Sequence, residues 1–379
     1  MCLYETTQTI HSAGNGLTAA AVLAVVSAFF VPPDAQYLGY IDLRTLAILF
    51  SLMTVMAGLR RQGFFDSLGR ALLSRTHSTF QLTLLLVGLC FFGSMFITND
   101  VSLLTFVPFT FVVLSRLGAD VRRSLLIPVV CMQTIAANLG SMLTPIGNPQ
   151  NLYLYGKSGM SIGGFVLLML PYTLVSLLLL LAWAALVCRK ASAALSVDEL
   201  VSSASQGDQK IILLYLVLFA VCLLSVIRVL PYGIAFAAVL VCVLFADPHT
   251  LRAVDYSLLL TFVAFFIFIG NLGRIPAFSG WLQEFLTGRE VLVAVLASQV
   301  TSNVPAALLL SGFTAETQAL IIGTNLGGLG TLIASMASLI SYRQITRELP
   351  QGKKQYFGLF TLSNLIFLAI LLGVWFLLR

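Results

Sequence analysis

The chain has 379 residues, 59% of them hydrophobic and only 9% charged, with a mean hydropathy of +0.98. Soluble domains carry about 25% charged residues, so a soluble fold is excluded, and apolar stretches of about 15–25 residues without alternation exclude a β-barrel and predict helices crossing a hydrocarbon core. The net charge of +6 does not mark a nucleic-acid binder, because the basic residues fall between the apolar stretches, where they set membrane orientation.

In chain order, no basic region precedes the first apolar stretch, so no cleavable signal peptide is expected. Spans are predicted at Leu17–Val31 and Leu43–Leu59. The segment Arg61–Arg75 follows, with Phe64, Phe65, Leu68 and Leu72 at helical spacing, which suits an arm lying in the membrane interface. Next, Phe80–Ile97 and Val101–Ser115 pivot on Thr98-Asn99-Asp100. A span at Leu125–Tyr155 is interrupted by Asn138-Leu139-Gly140-Ser141 and by Thr144-Pro145-Ile146-Gly147-Asn148-Pro149-Gln150-Asn151, and Ile162–Cys188 is a further span. The Ser/Ala-rich stretch Ala191–Gln209 reads as a cytoplasmic linker, and Ile211–Arg228 as a connecting span.

The second half repeats this order. Spans at Gly233–Ala246 and Tyr256–Leu272 are followed by an arm, Arg274–Leu286, bearing Phe278, Trp281, Leu282 and Phe285. Val291–Val300 and Val304–Phe313 pivot on Thr301-Ser302-Asn303. A second interrupted span, Gln318–Ile340, carries Asn325-Leu326-Gly327, and Tyr356–Leu378 ends the chain. The arms of the second pivot are about ten residues each, roughly 15 Å as helix and half a bilayer. Both pairs therefore read as re-entrant hairpins, 80–115 and 291–313, with tips at mid-membrane.

The expected fold is an all-α polytopic membrane protein of two inverted-topology repeats, each with a re-entrant hairpin and a broken transmembrane helix (125–155 and 318–340). The first repeat covers residues 1–190, the linker and connecting helix 191–232, and the second repeat 233–379. The odd helix Ile211–Arg228 inverts the second copy relative to the first. With the N-terminus and the loop Arg60–Arg75 in the cytoplasm and the C-terminus outside, only Arg44, Lys157, Arg228, Arg274, Arg289 and Arg379 of the 21 basic residues fall outside.

A polar break in lipid is costly unless it lines a cavity, so the matched breaks define the candidate binding site. Its expected members are Thr98, Asn99, Asp100, Asn138, Gly140, Thr144, Asn148, Asn151, Thr301, Ser302, Asn303, Asn325, Gly327, Thr331 and Ser335. Gly140 and Gly327 are expected to allow backbone turns inside the membrane. Asp100 is the only acid placed at mid-membrane and must titrate or hold a cation there; its expected counterpart is Asn303. Asn99, Asp100 and Asn303 are candidate Na⁺ ligands, with Na⁺ or H⁺ as coupling ion and no other cofactor. The six cysteines and three histidines form no cluster with metal-ligand spacing, and neither HExxH nor GxSxG occurs, so an intramembrane enzyme is not expected.

The paired Asn-bearing tips, with Thr144–Asn151 and the Thr-Ser-Asn-Val-Pro stretch Thr301–Pro305, resemble the ion transporter superfamily. That group includes divalent anion/sodium symporters, citrate permeases, arsenite permeases and some sodium/proton antiporters. The resemblance runs from about Leu17 to Leu378. It implies a secondary transporter, a homodimer and elevator-type movement, with the two arms separating scaffold from transport parts. In the symporter branch, Ser-Asn-Thr at both tips binds Na⁺ and substrate carboxylate. Asn99-Asp100 is closer to the arsenite-permease and antiporter branches. Three readings stay open: a transporter of a small anion or oxyanion coupled to Na⁺ or H⁺, a cation/proton antiporter centred on Asp100, and an arsenite-type permease. The expected partners are a small-molecule or ion substrate and the lipid of a bacterial inner membrane.

Overall fold

The computed structural model describes residues 2–74, 76–189 and 207–379, with side chains from Gly16 onward. Most of the linker Ala191–Gln209, and Arg75 at the end of the first arm, lie outside the described residues. The first half comprises α1 (Cys2–Phe30), the short α2 (Gln36–Tyr40), α3 (Leu43–Arg61), α4 (Phe64–Leu73), α5 (Thr79–Ile97), α6 (Asn99–Ser115), α7 (Ala119–Ser141), α8 (Pro149–Ser158) and α9 (Ile162–Cys188). After α10 (Gln209–Val226) come α11 (Tyr232–Ala246), α12 (Tyr256–Gly273), α13 (Pro276–Leu286), α14 (Glu290–Thr301), α15 (Asn303–Ser311), α16 (Thr317–Leu326), α17 (Met336–Glu348) and α18 (Lys353–Leu378). No β-strand occurs among the described residues, and 7 helices are long and apolar enough to cross a membrane.

Boundaries depart from the expected ones where a cap or a bend decides. The arm predicted from Arg61 starts later, because α3 runs on to Arg61 and Gly63, at φ 66°, turns the chain into α4. The second broken span continues past Ile340 to Glu348, and the first begins at Ala119. The arms of the hairpins differ in length: 19 and 17 residues in α5 and α6, against 12 and 9 in α14 and α15. By length alone α5 could cross a bilayer; the break at Thr98 is what makes it half of a hairpin.

The matched dipeptides Asp42-Leu43 and Asp255-Tyr256 do the same local work. Each Asp caps the following helix, Asp42 accepting from the Thr45 N–H at 3.0 Å and Asp255 from the Leu258 N–H at 3.0 Å. Helix pairing is also reciprocal. α1 packs on α12, and α11 packs on α3; α5 packs on α7 as α14 does on α16. The hairpins exchange partners across the halves, α6 touching α17 and α15 touching α8.

Two groups of helices result. One holds α1, α3, α10, α11 and α12; the other holds both hairpins, both broken spans, α9 and α18. Besides the arms, they meet mainly where α12 touches α15 and α3 touches α8. The most buried span is α7, at the centre of the second group. Its buried face continues through Val129, Cys131, Met132 and Ile135 to the break.

Candidate functional site

Each hairpin tip turns on one strained residue. Thr98 (φ 64°, ψ 151°) and Ser302 (φ 77°, ψ 155°) occupy a region that side-chain-bearing residues avoid, at a cost of about 1–3 kcal/mol each. The following residue pins the turn. The Asn99 N–H donates to the Gly147 carbonyl at 3.2 Å, and the Asn303 N–H to the Ala334 carbonyl at 3.0 Å. Each tip is thereby tied to the loop that interrupts the broken span of its own half.

These matched bonds fix the register of the repeat and correct the expected one. Thr98 corresponds to Ser302, and Asn99 to Asn303. The counterpart of Asp100 is therefore Val304, not Asn303. Thr301 falls one position before the tip, is exposed, and donates to the Ala297 carbonyl of its own helix at 2.9 Å, with a longer contact of 3.4 Å to the Ser302 carbonyl.

The broken spans are held to the hairpins by equivalent threonines. The Thr144 hydroxyl donates to the Met95 carbonyl at 2.5 Å; the Thr331 hydroxyl donates to the Gln299 carbonyl at 3.1 Å. Met95 and Gln299 both lie three residues before their tips. Thr331 is exposed, and its hydroxyl ties the loop to α14. Gly140 and Gly327 do not turn the backbone as expected. Gly140 lies within α7, and Gly327 has φ −64°. Their small size matters instead, since a Cβ at Gly140 would stand 2.0 Å from the Phe91 carbonyl oxygen and one at Gly327 2.6 Å from the Ser298 Oγ. The left-handed turn in the second break belongs to Gly330, at φ 108°.

Between the loops the two halves clasp crosswise. The Asn138 Oδ1 accepts from Asn99 Nδ2 at 3.1 Å and from the Ser335 hydroxyl at 2.9 Å, while Asn138 Nδ2 donates to Ser338 Oγ at 3.4 Å. Reciprocally, Asn325 and Asn151 exchange two amide bonds of 2.7 and 3.1 Å. Each Asn-Leu-Gly asparagine thus reaches the restart helix of the opposite broken span. Asn148 donates to Ser141 Oγ at 2.6 Å, and the Ser302 hydroxyl contacts Asn303 Oδ1 and the Ala334 carbonyl, each at 3.4 Å.

Four helices start at this place: α6 and α15 at the tips, α8 and α17 at the restarts. None is capped by the side chain of its N-cap residue, although Asn99 Oδ1 accepts from the Asp100 N–H at 2.9 Å in the first turn of α6. The residues preceding α8 and α17 share one conformation, Asn148 at φ −143°, ψ 145° and Ser335 at φ −143°, ψ 138°. Helix N-termini carry partial positive charge and are suited to anions; at the two tips the first N–H, of Asn99 and of Asn303, is already taken by a loop carbonyl. Asp100, in the first turn of α6, is the one acid on either tip, and its buried Oδ1 has no hydrogen-bond partner. Buried Asn148 Oδ1 and both amide atoms of Gln150 are likewise unpartnered, so this core holds unused donors and acceptors. No group of three or more His, Cys, Asp or Glu suited to a metal occurs among the described residues; a Na⁺ ion here would rely on amide, hydroxyl and carbonyl oxygens and Asp100.

Three glutamines were not expected in this core. Gln299 Nε2 donates to the Gly327 and Leu329 carbonyls at 3.0 and 2.9 Å, and its Oε1 accepts from the Thr331 N–H at 2.9 Å. Gln133 Nε2 donates to Thr110 Oγ1 at 2.8 Å, joining α7 to α6. Gln150 is fully buried at the start of α8. The available signal was simple: each is an amide in or beside an apolar span, where burial demands partners.

A citrate transporter family profile matches residues 9–319. The chain is 33% identical over 322 residues to the inner membrane protein YbiR of Escherichia coli, covering 83% of each chain. It is 31% identical over 303 residues to an uncharacterized transporter, MJ0456, of Methanocaldococcus jannaschii, covering 80% of this chain and 81% of the relative. A shorter match, 32% over 165 residues, covers 43% of this chain and 33% of the silicon efflux transporter LSI3 of rice, Oryza sativa.

Proposed function

Because the chain belongs to the citrate transporter family and is a membrane transporter, we propose that it moves a small anion or oxyanion by secondary active transport coupled to Na⁺ or H⁺. The observation that carries this reading is the meeting of four helix N-termini, none capped by the side chain of its N-cap residue, around the crossed asparagine clasp. That arrangement favours negative charge without a lysine or arginine among the candidate site residues.

Coupling is assigned to Asp100. A carboxylate with an unpartnered buried oxygen at a helix start needs a proton or a cation whenever the site closes. Asn99 and Asn303, whose backbones are fixed by matched bonds, are the proposed companion ligands for Na⁺.

We further propose elevator-type movement of the hairpin-bearing group against the group of α1, α3, α10, α11 and α12, with α4 and α13 as the connecting arms, in a homodimer within a bacterial inner membrane. The sparse direct contact between the two groups supports this division. The inverted relation of the halves, with an N-terminus inside and a C-terminus outside, rests on the charge distribution. Three long-range ion pairs among the described residues each join residues assigned to one side: Arg122 with Glu348, Arg61 with Asp247, and Arg274 with Asp34.

The test is solute flux in proteoliposomes under an imposed Na⁺ or pH gradient, screening carboxylates, sulfate, phosphate and arsenite. Saturable uptake that collapses with the gradient supports the proposal. Flux without saturation or coupling overturns it. The unpartnered Asp100 oxygen also favours a second reading, cation/proton antiport. It predicts proton movement on adding Na⁺ or Li⁺ with no organic anion or oxyanion substrate present.

A further inference from the structure

The four helices that start at the clasp differ at their second residue: Asp100 in α6, Gln150 in α8, Val304 in α15 and Ala337 in α17. They start in pairs. α6 and α17 start together at Asn138, whose Oδ1 accepts from Asn99 and Ser335. α8 and α15 start together at the end of α16: Asn151 exchanges amide bonds with Asn325, and a Cβ on Gly328 would stand 3.1 Å from Asn303 Nδ2. Each pair therefore sets one polar second residue against one apolar one, Asp100 with Ala337 and Gln150 with Val304.

α8 and α15 run side by side in the same direction. Towards their far ends the Tyr153 and Ser311 hydroxyls meet at 2.9 Å, and Lys157 Nζ donates to the Ser311 carbonyl. Tyr153 and Lys157 follow Gln150 by three and seven residues, so all three lie on the face of α8 turned to α15. Gln150 is fully buried, and neither its Nε2 nor its Oε1 has a partner. Asn148, the residue preceding α8, is 3% exposed, and its Oδ1 is also unpartnered. Buried polar atoms without partners are costly, and here one donor group and two acceptors are left together at one helix start. The second half has no such set, since the Ser335 hydroxyl is spent on Asn138 and Ala337 has no polar side-chain atom.

These groups narrow the ligand. A cation could use the two oxygens, but it would face the positive end of α8 and the Nε2 donor. An oxyanion with acceptors alone would satisfy Nε2 and leave both oxygens unmet. A solute with an anionic oxygen and a hydroxyl answers donor and acceptor together. We propose that Gln150, assisted by Asn148, contacts the transported solute at the paired starts of α8 and α15 and selects oxyanions that carry a hydroxyl over fully deprotonated ones. Nε2 donates to an anionic oxygen, and Oε1 accepts from the hydroxyl, with Asn148 Oδ1 as a further acceptor at the same helix start. Solute and coupling ion are then held at different pairs of helix starts, Gln150 at one and Asp100 at the other. This specificity role rests on the anion-transport reading and deepens it.

The test uses the full-length protein and two pairs of anions matched in shape and charge, each pair differing by one hydroxyl: hydrogen phosphate against sulfate, and bicarbonate against nitrate. Apparent affinities are read from concentration-dependent thermal stabilisation at mildly alkaline pH, where phosphate is chiefly the dianion. The wild type is expected to bind the hydroxyl-bearing member about tenfold or more tightly, because a site built to hydrogen-bond a hydroxyl rejects the analogue lacking it. Gln150→Met keeps the length of the side chain and removes the amide. It should bring the ratio within about threefold and melt no lower than the wild type, as replacing an unpartnered polar group by an apolar one allows. An unchanged ratio in Gln150→Met overturns the proposal and leaves anion transport standing. If that variant does not fold, the wild-type ratios decide: no preference, or a preference for sulfate or nitrate, overturns the proposal. Failure of all four anions to stabilise the wild type also overturns it, and the anion reading falls with it only if carboxylates and arsenite fail as well.

Discussion

At the scale of single residues, Asp100 and Gly140 have the most distinct predicted roles. Asp100 stands in the first turn of α6 with one buried oxygen unpartnered, while Val304 occupies the equivalent place in the other half. Charge at the tips is therefore one-sided. Asp100→Asn keeps the volume and removes the titratable charge. Ion-driven uptake should fall by roughly 5- to 150-fold, the range of a coupling free energy of about 1–3 kcal/mol, while the melting temperature stays near that of the wild type. Undiminished gradient-driven uptake by this variant would remove Asp100 from the coupling role. Gly140 has a packing role. An added methyl meets the Phe91 carbonyl, which is rigid backbone, so Gly140→Ala should destabilise by about 1–3 kcal/mol. Gly327→Ala meets Ser298 Oγ at a longer distance and should lower the melting temperature less.

At the scale of elements, the hairpins and breaks were legible because polar residues inside apolar sequence are expensive and so conspicuous. Their order along the chain and the Asn-Leu-Gly pair were readable. The register was not. Thr98-Asn99-Asp100-Val101 and Thr301-Ser302-Asn303-Val304 share a Thr and a Val at the same spacing, which suggests an alignment one residue out. Backbone geometry decides it, since the strained turn falls on Thr98 and Ser302. Nor could spacing show that Gly140 and Gly327 serve close approach, because both glycine roles leave the same letter in the sequence. Gln299 was missed for the complementary reason: its partners are carbonyls around the break, invisible until the chain folds. The corrected register gives a direct test. Thr301→Ala should leave uptake within about twofold of wild type, as surface changes usually alter stability by at most about 0.5 kcal/mol. Asn303→Ala should lower it severely. Equal losses in the two variants would contradict the register of the site.

At the scale of the whole molecule, sequence and structure meet in a crossed architecture. α1 lies on α12 and α11 on α3, the hairpins exchange restart helices, and Asn138 and Asn325 each reach across to the other half. Reciprocal contacts of this kind are expected when two copies of one unit face each other about a pseudo-two-fold axis. The proposed inversion can be read by labelling. Single cysteines at Arg123 and Arg289, in a background lacking the native cysteines, should react with an impermeant maleimide from opposite sides of right-side-out vesicles, Arg289→Cys from outside. Labelling of both from one side would refute the inverted arrangement.

The central claim is that both halves build one binding site for a small anion. It is tested most directly by ligand-induced thermal stabilisation of the wild type, Asn138→Ala and Asn325→Ala, using the anion that stabilises the wild type most. A ligand at 100 times its Kd contributes about 2.7 kcal/mol to the folded state. The account predicts a clear upward shift in the wild type, lost in both variants, since each removes one arm of the clasp. A shift that survives intact in either variant, or an absence of stabilisation by every anion tested alongside a clear response to Na⁺ or Li⁺ alone, would contradict it.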